Sequence, residues 1–426
     1  KENPEGLSVD EAYKDRYNLL YVVENEKDPT GNSTALNAHI DVVAPFFLPR
    51  VDGDYLYGRG AVDDKGNVAG ILGALTIIDM LSADNRVSLK NTITSMFVTE
   101  EEPGGNGSLD LAVDKQLRSL YDSVLVMETA GNNIYPGNRG AVWFKCDLSR
   151  KDPIGQPEYA SSTDPSEPEY RSSSPSLLEA VIFGVLEMQK EGEAIKSESD
   201  HPLFPHKPVQ TCNGILGPFG EHPSRICGRL SFELKGTIHQ EEYTKIRNEV
   251  DRAVEEYIER YGDRTTITDP VTKQKKVDHH YDIAQTEGTI KIDVHGSAGH
   301  MGSILENDDA IVKWAYIAEK LFYLKEKEGI DATMELSGYN SVNELTLEGG
   351  QGFLPTHSIE DVKQRMAKAF EKGVNTYLSI KQAASDTFDC RVSYDKLHND
   401  AFAGDPDSPT MIRAWKSGIE AGIIDE

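Results

Sequence analysis

From residue 17 to residue 128 the chain alternates short apolar runs with amphipathic ones, and the apolar runs stop on histidine or carboxylate side chains. Residues 17–24 (YNLLYVVE), 33–43, 91–99 (NTITSMFVT) and 123–127 (SVLVM) read as strands from their β-branched and aromatic content. Residues 67–81 carry Val68, Ile71, Leu72, Leu75, Ile78 and Leu81 at helical spacing, and residues 109–120 read as a second helix. This alternation predicts an α/β sheet with helices on its faces. His39 and Asp41, Glu101 and Glu102, and Glu128 all fall where strands stop. Open α/β sheets bind ligands at the carboxyl ends of their strands, so these distant segments are expected to converge on one crevice. Each also has a plainer reading. A glutamate run is usually a solvated loop, a glutamate ending a strand can cap the next helix, and a lone His-x-Asp is more often structural. Their shared position weakens separate explanations.

A glycine-rich turn, residues 58–66 (GRGAVDDKG), brings two more carboxylates, Asp63 and Asp64, to the start of the first helix. His39 and Asp41 are two apart on a strand and so share a face. A carboxylate beside an imidazole can fix its tautomer and raise its basicity, which a metal-ligating histidine needs. The net charge of -27 argues against nucleic acid, whose phosphates demand a basic surface, and against an anionic membrane surface. Its simplest consequence is solubility. No apolar run reads as long enough to span a bilayer. The four cysteines, Cys146, Cys212, Cys227 and Cys390, form no C-x-x-C pair, and their wide spacing suits a reducing compartment, the cytoplasm.

At 426 residues the chain is too long for one ordinary core. Past Arg139-Gly140 the pattern changes. Strands are expected at 141–148, 212–219, 228–235, 289–295 and 343–347, helices at 177–190, 240–261, 310–325 and 358–377, and a long polar loop at 150–174. Two halves of this region look alike. Arg139-Gly140-Ala141-Val142 matches Glu287-Gly288-Thr289-Ile290, and His239-Gln240-Glu241-Glu242 matches His357-Ser358-Ile359-Glu360. A duplication is the favoured reading, two unrelated α+β stretches the other. A strand at 388–394 and a helix at 411–422 then return to the earlier style. The expected organisation is a catalytic domain over 1–138, an inserted lid over 139–383 in two repeats (139–285 and 286–383), and the rest of the catalytic domain over 384–426.

Taken in order, His39-x-Asp41, Gly58-Arg59-Gly60-x-x-Asp63-Asp64-Lys65-Gly66, Glu101-Glu102 before a glycine-rich loop, and Glu128 resemble the dinuclear zinc metallopeptidases of clan MH. That branch includes aminoacylase, acetylornithine deacetylase, carboxypeptidase G and the carnosine-type dipeptidases. His295-Gly296-Ser297-Ala298-Gly299-His300 is similar to the branch's lid motif, and the tandem lid resembles the monomeric dipeptidase V type. The resemblance implies a mixed-sheet α/β zinc-peptidase catalytic domain with an inserted, duplicated α+β lid. It implies two zinc ions, with cobalt or manganese as substitutes. His39 and Glu128 would bind one ion, Glu102 the other, and Asp63 would bridge them. Asp41 would orient His39, Glu101 would be the general base, and His300 would reach from the lid to the substrate carbonyl. A cis peptide after Asp63 is implied as well.

The pattern departs from the family at one point. The second metal of these enzymes also takes a histidine near the C-terminus, in a segment with no counterpart here. His398, in a charged stretch, is a weak substitute, and the chain is expected to be truncated at both ends. His201, His206, His222, His279 and His280 read as surface histidines. The implied activity is hydrolysis of an amide bond beside a free carboxylate, on a small peptide or N-acyl amino acid. A dipeptidase is the nearest alternative, and an inactive binding protein the next. The doubled lid implies a monomer. A calcium-binding protein would want clustered acidic ligands in one short loop, and none is evident.

Overall fold

The computed structural model describes residues 14–24, 33–128, 133–151, 175–268, 273–286, 288–302, 308–340, 343–396 and 398–424. All but the first two residues of the expected polar loop at 150–174 lie outside them. The chain separates into two compact units, residues 1–136 with 405–426, and residues 137–404.

In the first unit, strands β1 (Leu19–Val23), β2 (Thr34–His39), β5 (Ile93–Val98) and β6 (Ser123–Val126) form a sheet in the order β1-β5-β2-β6. Strands β2, β5 and β6 run parallel, and β1 pairs antiparallel with β5. Parallel pairing brings the carboxyl ends of three strands to one edge of the sheet, which is where the site residues follow. A short hairpin, β3 (Arg50–Asp52) and β4 (Tyr55–Tyr57), precedes helix α1 (Lys65–Ala83). Ala35, Ala38, Ile71, Met96, Phe97, Val98 and Leu111 are buried here. The expected helix over 109–120 is instead two, α2 (Asn106–Val113) and α3 (Lys115–Arg118). Asp114 makes the break: its backbone turns extended and its carboxylate accepts the N–H groups of Gln116 at 2.8 Å and Leu117 at 3.0 Å, which caps a new helix.

Contrary to the sequence expectation, α1 is long and apolar enough, by length and composition, to cross a membrane, with a mean hydropathy of 1.5 over 18 residues. Its isoleucines, leucines and valine carry that average, and Ile77 and Met80, exposed and outside the periodic set read from the sequence, extend the apolar surface around the helix.

The second unit contains two modules of the same design. The first is β7 (Gly140–Arg150), α4 (Leu177–Glu198) and β8 (Thr211–Leu216), resumed after an interruption by β13 (Glu344–Phe353), α7 (Ile359–Ile380) and β14 (Phe388–Ser393). Its four main strands lie in the order β8-β13-β7-β14. The interruption is the other module: β9 (Arg229–Gly236), α5 (Gln240–Tyr261), β10 (Tyr281–Thr286), β11 (Thr289–His295), α6 (Ala310–Glu328) and β12 (Ala332–Leu336), with strands in the order β10-β11-β9-β12. Both are antiparallel βαββαβ sheets with strand order 2-3-1-4, the split βαβ arrangement. The helices pack α4 on α7, α5 on α6 and α4 on α6, over a continuous core with Trp314, Phe322, Phe353, Phe370 and Tyr377 at most 2 % exposed.

This arrangement corrects three expectations. The repeat boundary at 285/286 cuts through a hairpin, because Gln285 and Thr286 pair with Ile290 and Thr289. The second module is nested inside the first rather than following it. A split βαββαβ sheet is itself two similar βαβ halves, so matching residue 139 with residue 287 aligned the first strand of one module with the third strand of the other. The return to the first unit was expected at residue 384, but β14 pairs with β7 along Phe388 to Ser393 and keeps residues up to 404 in the second unit.

Strand β13 is also longer than the five residues expected. Its sequence ELTLEGGQGF invites a turn at Gly349-Gly350. The strand continues because a Cβ at Gly349 would sit 2.2 Å from the Cys212 carbonyl oxygen and 2.6 Å from the Phe144 ring. The glycine here permits close packing within the strand, and the pairing with β8 shifts its register between Glu348 and Gly349.

Candidate metal and catalytic centre

His39 is the last residue of β2, and its ring is 2 % exposed. Its Nε2 lies 2.8 Å from Asp63 Oδ1 and 3.9 Å from Glu101 Oε2. His39, Asp63 and Glu128 present one ligand atom each, all within 4.8 Å of one another. Glu128 arrives two residues after β6, and Asp63 from the turn before α1. Gly60 shapes that turn with a φ of 82°, and a Cβ there would meet the Val42 side chain at 2.6 Å. The Asp63–Asp64 peptide bond is cis.

Asp41 faces both halves of this arrangement. Its Oδ1 accepts the Glu101 N–H at 3.2 Å, and its Oδ2 accepts the Glu102 N–H at 3.1 Å. The His39 Nδ1 sits 3.1 Å from the Asp41 carbonyl oxygen and 3.4 Å from Asp41 Oδ1. The nearer partner of the imidazole is therefore the backbone of Asp41, and the carboxylate is engaged chiefly with the glutamate turn. That turn begins at Glu100, whose φ is 62° and whose side chain pairs with Arg16. Glu102 joins no group of three ligating side chains among the described residues.

Asp64, fully buried, has a role that the sequence reading left unassigned. It occupies the N-cap position of α1, yet its carboxylate does not cap the helix. Its Oδ2 accepts the backbone N–H of His39 at 3.0 Å, and its Oδ1 accepts the Asn67 side-chain amide. It thus ties the end of β2 to the start of α1. The sequence signal was the second carboxylate of the Asp63-Asp64 pair, which precedes a helix where one would have sufficed for capping.

The electrostatics of the site follow from packing carboxylates together. Burial pushes Glu101 up to about 7; His39 pulls it back, and Glu128, Glu102 and Asp41 add to the rise. Burial also raises Glu102, with Asp63 next in effect. Burial lowers the affinity of His39 for a proton, but Glu101, the hydrogen bond to Asp63, and Asp41 outweigh it and the net shift is upward. Glu101, Glu102 and His39, which take up protons more readily than usual, are poised to exchange those protons for a cation. One imidazole nitrogen with two carboxylates is a donor set that suits zinc and also cobalt or manganese.

The other two histidines considered for the site lie in the second unit. His300 belongs to a two-residue strand, Gly299–His300, opposite Arg225. Its Nδ1 accepts the Gly302 N–H at 3.1 Å, and burial together with Arg139 and Arg225 lowers its pKa. His398 accepts the Trp143 backbone N–H on Nδ1 at 3.2 Å, which is a structural role in the sheet of the first module.

Residues 35–387 match the peptidase family M20/M25/M40, and the chain belongs to that family. Among individual relatives, it is 34 % identical over 141 residues to carboxypeptidase G2 of Pseudomonas sp. (strain RS-16), covering 30 % of this chain and 32 % of that protein. It is 28 % identical over 151 residues to the human Beta-Ala-His dipeptidase, covering 31 % of this chain and 29 % of the relative. The chain thus spans about a third of the length of these curated relatives. Among solved structures, human carnosine dipeptidase 1 aligns over 95 % of this chain and 69 % of its own, at 14 % identity and a TM-score of 0.45.

Proposed function

We propose that this chain is a metal-dependent hydrolase of amide bonds, of the kind that releases an amino acid with a free carboxylate from an N-acyl amino acid or a peptide C-terminus. The observation that carries the reading is the convergence of His39, Asp63 and Glu128 on one point, with Glu101 Oε2 3.9 Å from the same imidazole nitrogen. His39, Asp63 and Glu128 would hold one zinc, and Asp63 with Glu102 would contribute to a second. Bound zinc supplies Lewis acidity, which acidifies water and polarises a carbonyl oxygen. The chain's own residues do the rest. Glu101, pushed up to about 7, is matched to taking a proton from water near neutrality and giving it to the leaving amine. Asp41 holds Glu101 and Glu102 in place through their N–H groups. His300 would donate to the carbonyl oxygen of the substrate.

Glu128 favours the deacylase or carboxypeptidase class over the dipeptidases. By resemblance, the former tend to carry glutamate at this ligand position and the latter aspartate. The nested pair of modules favours a dipeptidase, the second reading. The test is hydrolysis of a panel of N-acyl amino acids and dipeptides with and without added zinc. The first reading expects N-acetylated substrates to be cleaved. A requirement for a free α-amine supports the second. No hydrolysis of either class, at full zinc occupancy, refutes both.

A further inference from the structure

We propose that His279, Asp282 and His295 of the second unit form a divalent-cation site of the zinc type, built from residues other than those of the proposed catalytic centre. Asp282 Oδ2 lies 2.9 Å from His279 Nε2 and 2.8 Å from His295 Nε2, and the two rings are 4.6 Å apart at their centroids. The three ligand atoms lie within 4.8 Å of one another. In a tetrahedral zinc site with bonds near 2.0–2.1 Å, neighbouring ligand atoms stand about 3.3 Å apart. The two nitrogens therefore need to move from the carboxylate oxygen by about 0.5 Å to admit the ion, within the reach of small side-chain rotations.

The convergence follows from the register of the second module. Asp282 stands opposite Asp293, and Tyr281 opposite Val294, so Asp282 and His295 are diagonal neighbours on the outer face of β10 and β11. His279 precedes β10 by two residues and folds back over the same face. The pairing of Asp282 with Asp293 puts like charges directly opposite each other, which is unfavourable unless positive charge is near. Asp293 has it: Lys291 at 3.2 Å and Arg229 at 3.3 Å. Asp282 is within ion-pair distance of the two imidazoles and, among the described residues, of no lysine or arginine. A cation between the imidazoles and the carboxylate supplies the missing charge.

The backbone behind the site is fixed. Lys313, completely buried, donates to the His295 carbonyl oxygen at 2.6 Å, to His280 Nδ1 at 3.0 Å and to Asp308 at 2.6 Å. The His295 N–H in turn donates to the His280 carbonyl oxygen at 2.9 Å. The residues carrying or flanking the ligands are thus held from below, as a preorganised site requires. In front, His279 and Asp282 line an open cavity of about 570 Å³, with Arg247, Thr265, Asp278 and Tyr281 around it. With three protein ligands, two of which face this space, a fourth position is left for water or for an outside donor, unlike the closed four-ligand sites that serve structure alone.

The test is zinc titration against a chromophoric chelator, using a chain that already carries His39→Ala and Asp63→Ala to silence the proposed catalytic centre. One equivalent of zinc is expected to remain. Adding Asp282→Asn or His279→Ala should weaken it by at least about tenfold, because each removes one of three ligands. His279 is exposed outside the strands, so its alanine variant preserves the fold, and a thermal melt followed by circular dichroism checks this. Cobalt in place of zinc should give a visible spectrum that disappears in the same variants. If the starting chain retains no equivalent of zinc, or if the folded His279→Ala and Asp282→Asn chains bind it undiminished, the site does not exist.

Discussion

Asp41 accepts the backbone N–H of Glu102 at 3.1 Å through one carboxylate oxygen, while the other oxygen accepts the N–H of Glu101 at 3.2 Å. This one side chain therefore sets where two glutamates begin, and its own carbonyl oxygen faces His39 Nδ1 at 3.1 Å. An asparagine in its place keeps the size but offers only one acceptor. Its amide nitrogen would face an N–H group with nothing to accept. Asp41→Asn is expected to lower the rate of amide hydrolysis or the zinc affinity by about tenfold to a hundredfold, the usual effect of losing a group that orients ligands. Zinc titration and steady-state kinetics on the variant check this, and unchanged values in both would remove Asp41 from the positioning of the site.

Glu101 and Glu102 are adjacent and chemically alike, yet they should fail differently. Glu101→Gln keeps the shape and removes the proton acceptor, so turnover should fall about a hundredfold to ten-thousandfold with zinc content unchanged. Glu102→Gln should instead lower zinc content. Metal analysis of both variants after dialysis decides the matter. Equal loss of metal from the two would mean that neither is set apart as the base.

The first unit was legible because parallel strands place their chemistry at one end. His39, Glu101 and Glu128 each follow an apolar run, and the runs alone implied that they meet. The second unit was legible in kind and not in order. Its two modules share a strand order, but the sequence between Leu216 and Glu344 gives no sign that it interrupts one module to build the other, since each βαβ half resembles every other half. His279 read as a surface histidine for a related reason. Its partners, Asp282 and His295, are close only through the pairing of β10 with β11, and the first of those strands (YDIAQT) is too polar on its exposed side to stand out. A non-local pair that depends on register leaves little trace in a single sequence.

His398 gives a pH dependence whose sign can be worked out. Burial lowers its pKa, Lys363 lowers it further, and a backbone hydrogen bond at Tyr394 partly compensates. Its Nδ1 accepts the Trp143 N–H, which only the neutral ring can do. The folded-state pKa lies below the ordinary value of 6.5, so the folded chain takes up this proton less readily than the unfolded one. The stabilisation is complete above pH 6.5 and is lost as the pH falls from there through the folded-state value. The melting temperature of the chain should therefore drop between pH 7 and pH 5, and His398→Gln should flatten that part of the profile. A profile of the same slope in the variant would assign the acid sensitivity to other groups.

The last prediction concerns Asp64, the carboxylate behind the site. It is fully buried, and burial raises its pKa, with the Asn67 side chain and the His39 N–H opposing the rise. Its role is to satisfy the His39 N–H at 3.0 Å at the end of a strand whose ring must stay aimed at Asp63 and Glu128. Asp64→Ala leaves that N–H buried without its acceptor, at a cost of about 1–3 kcal/mol. Asp64→Asn keeps an oxygen for the His39 N–H and loses the charge, and Asn67 can turn its amide to accept from the new NH2 group, so the variant should recover most of the stability. The two variants separate anchoring from electrostatics. If Asp64 acts by holding the His39 backbone, zinc affinity falls in the alanine variant and returns with asparagine. If its charge is what matters, both variants lose zinc equally. Denaturant melts and zinc titrations on the pair distinguish these outcomes, and an alanine variant as stable as the parent would show that the hydrogen bond to His39 does not hold the strand end in place.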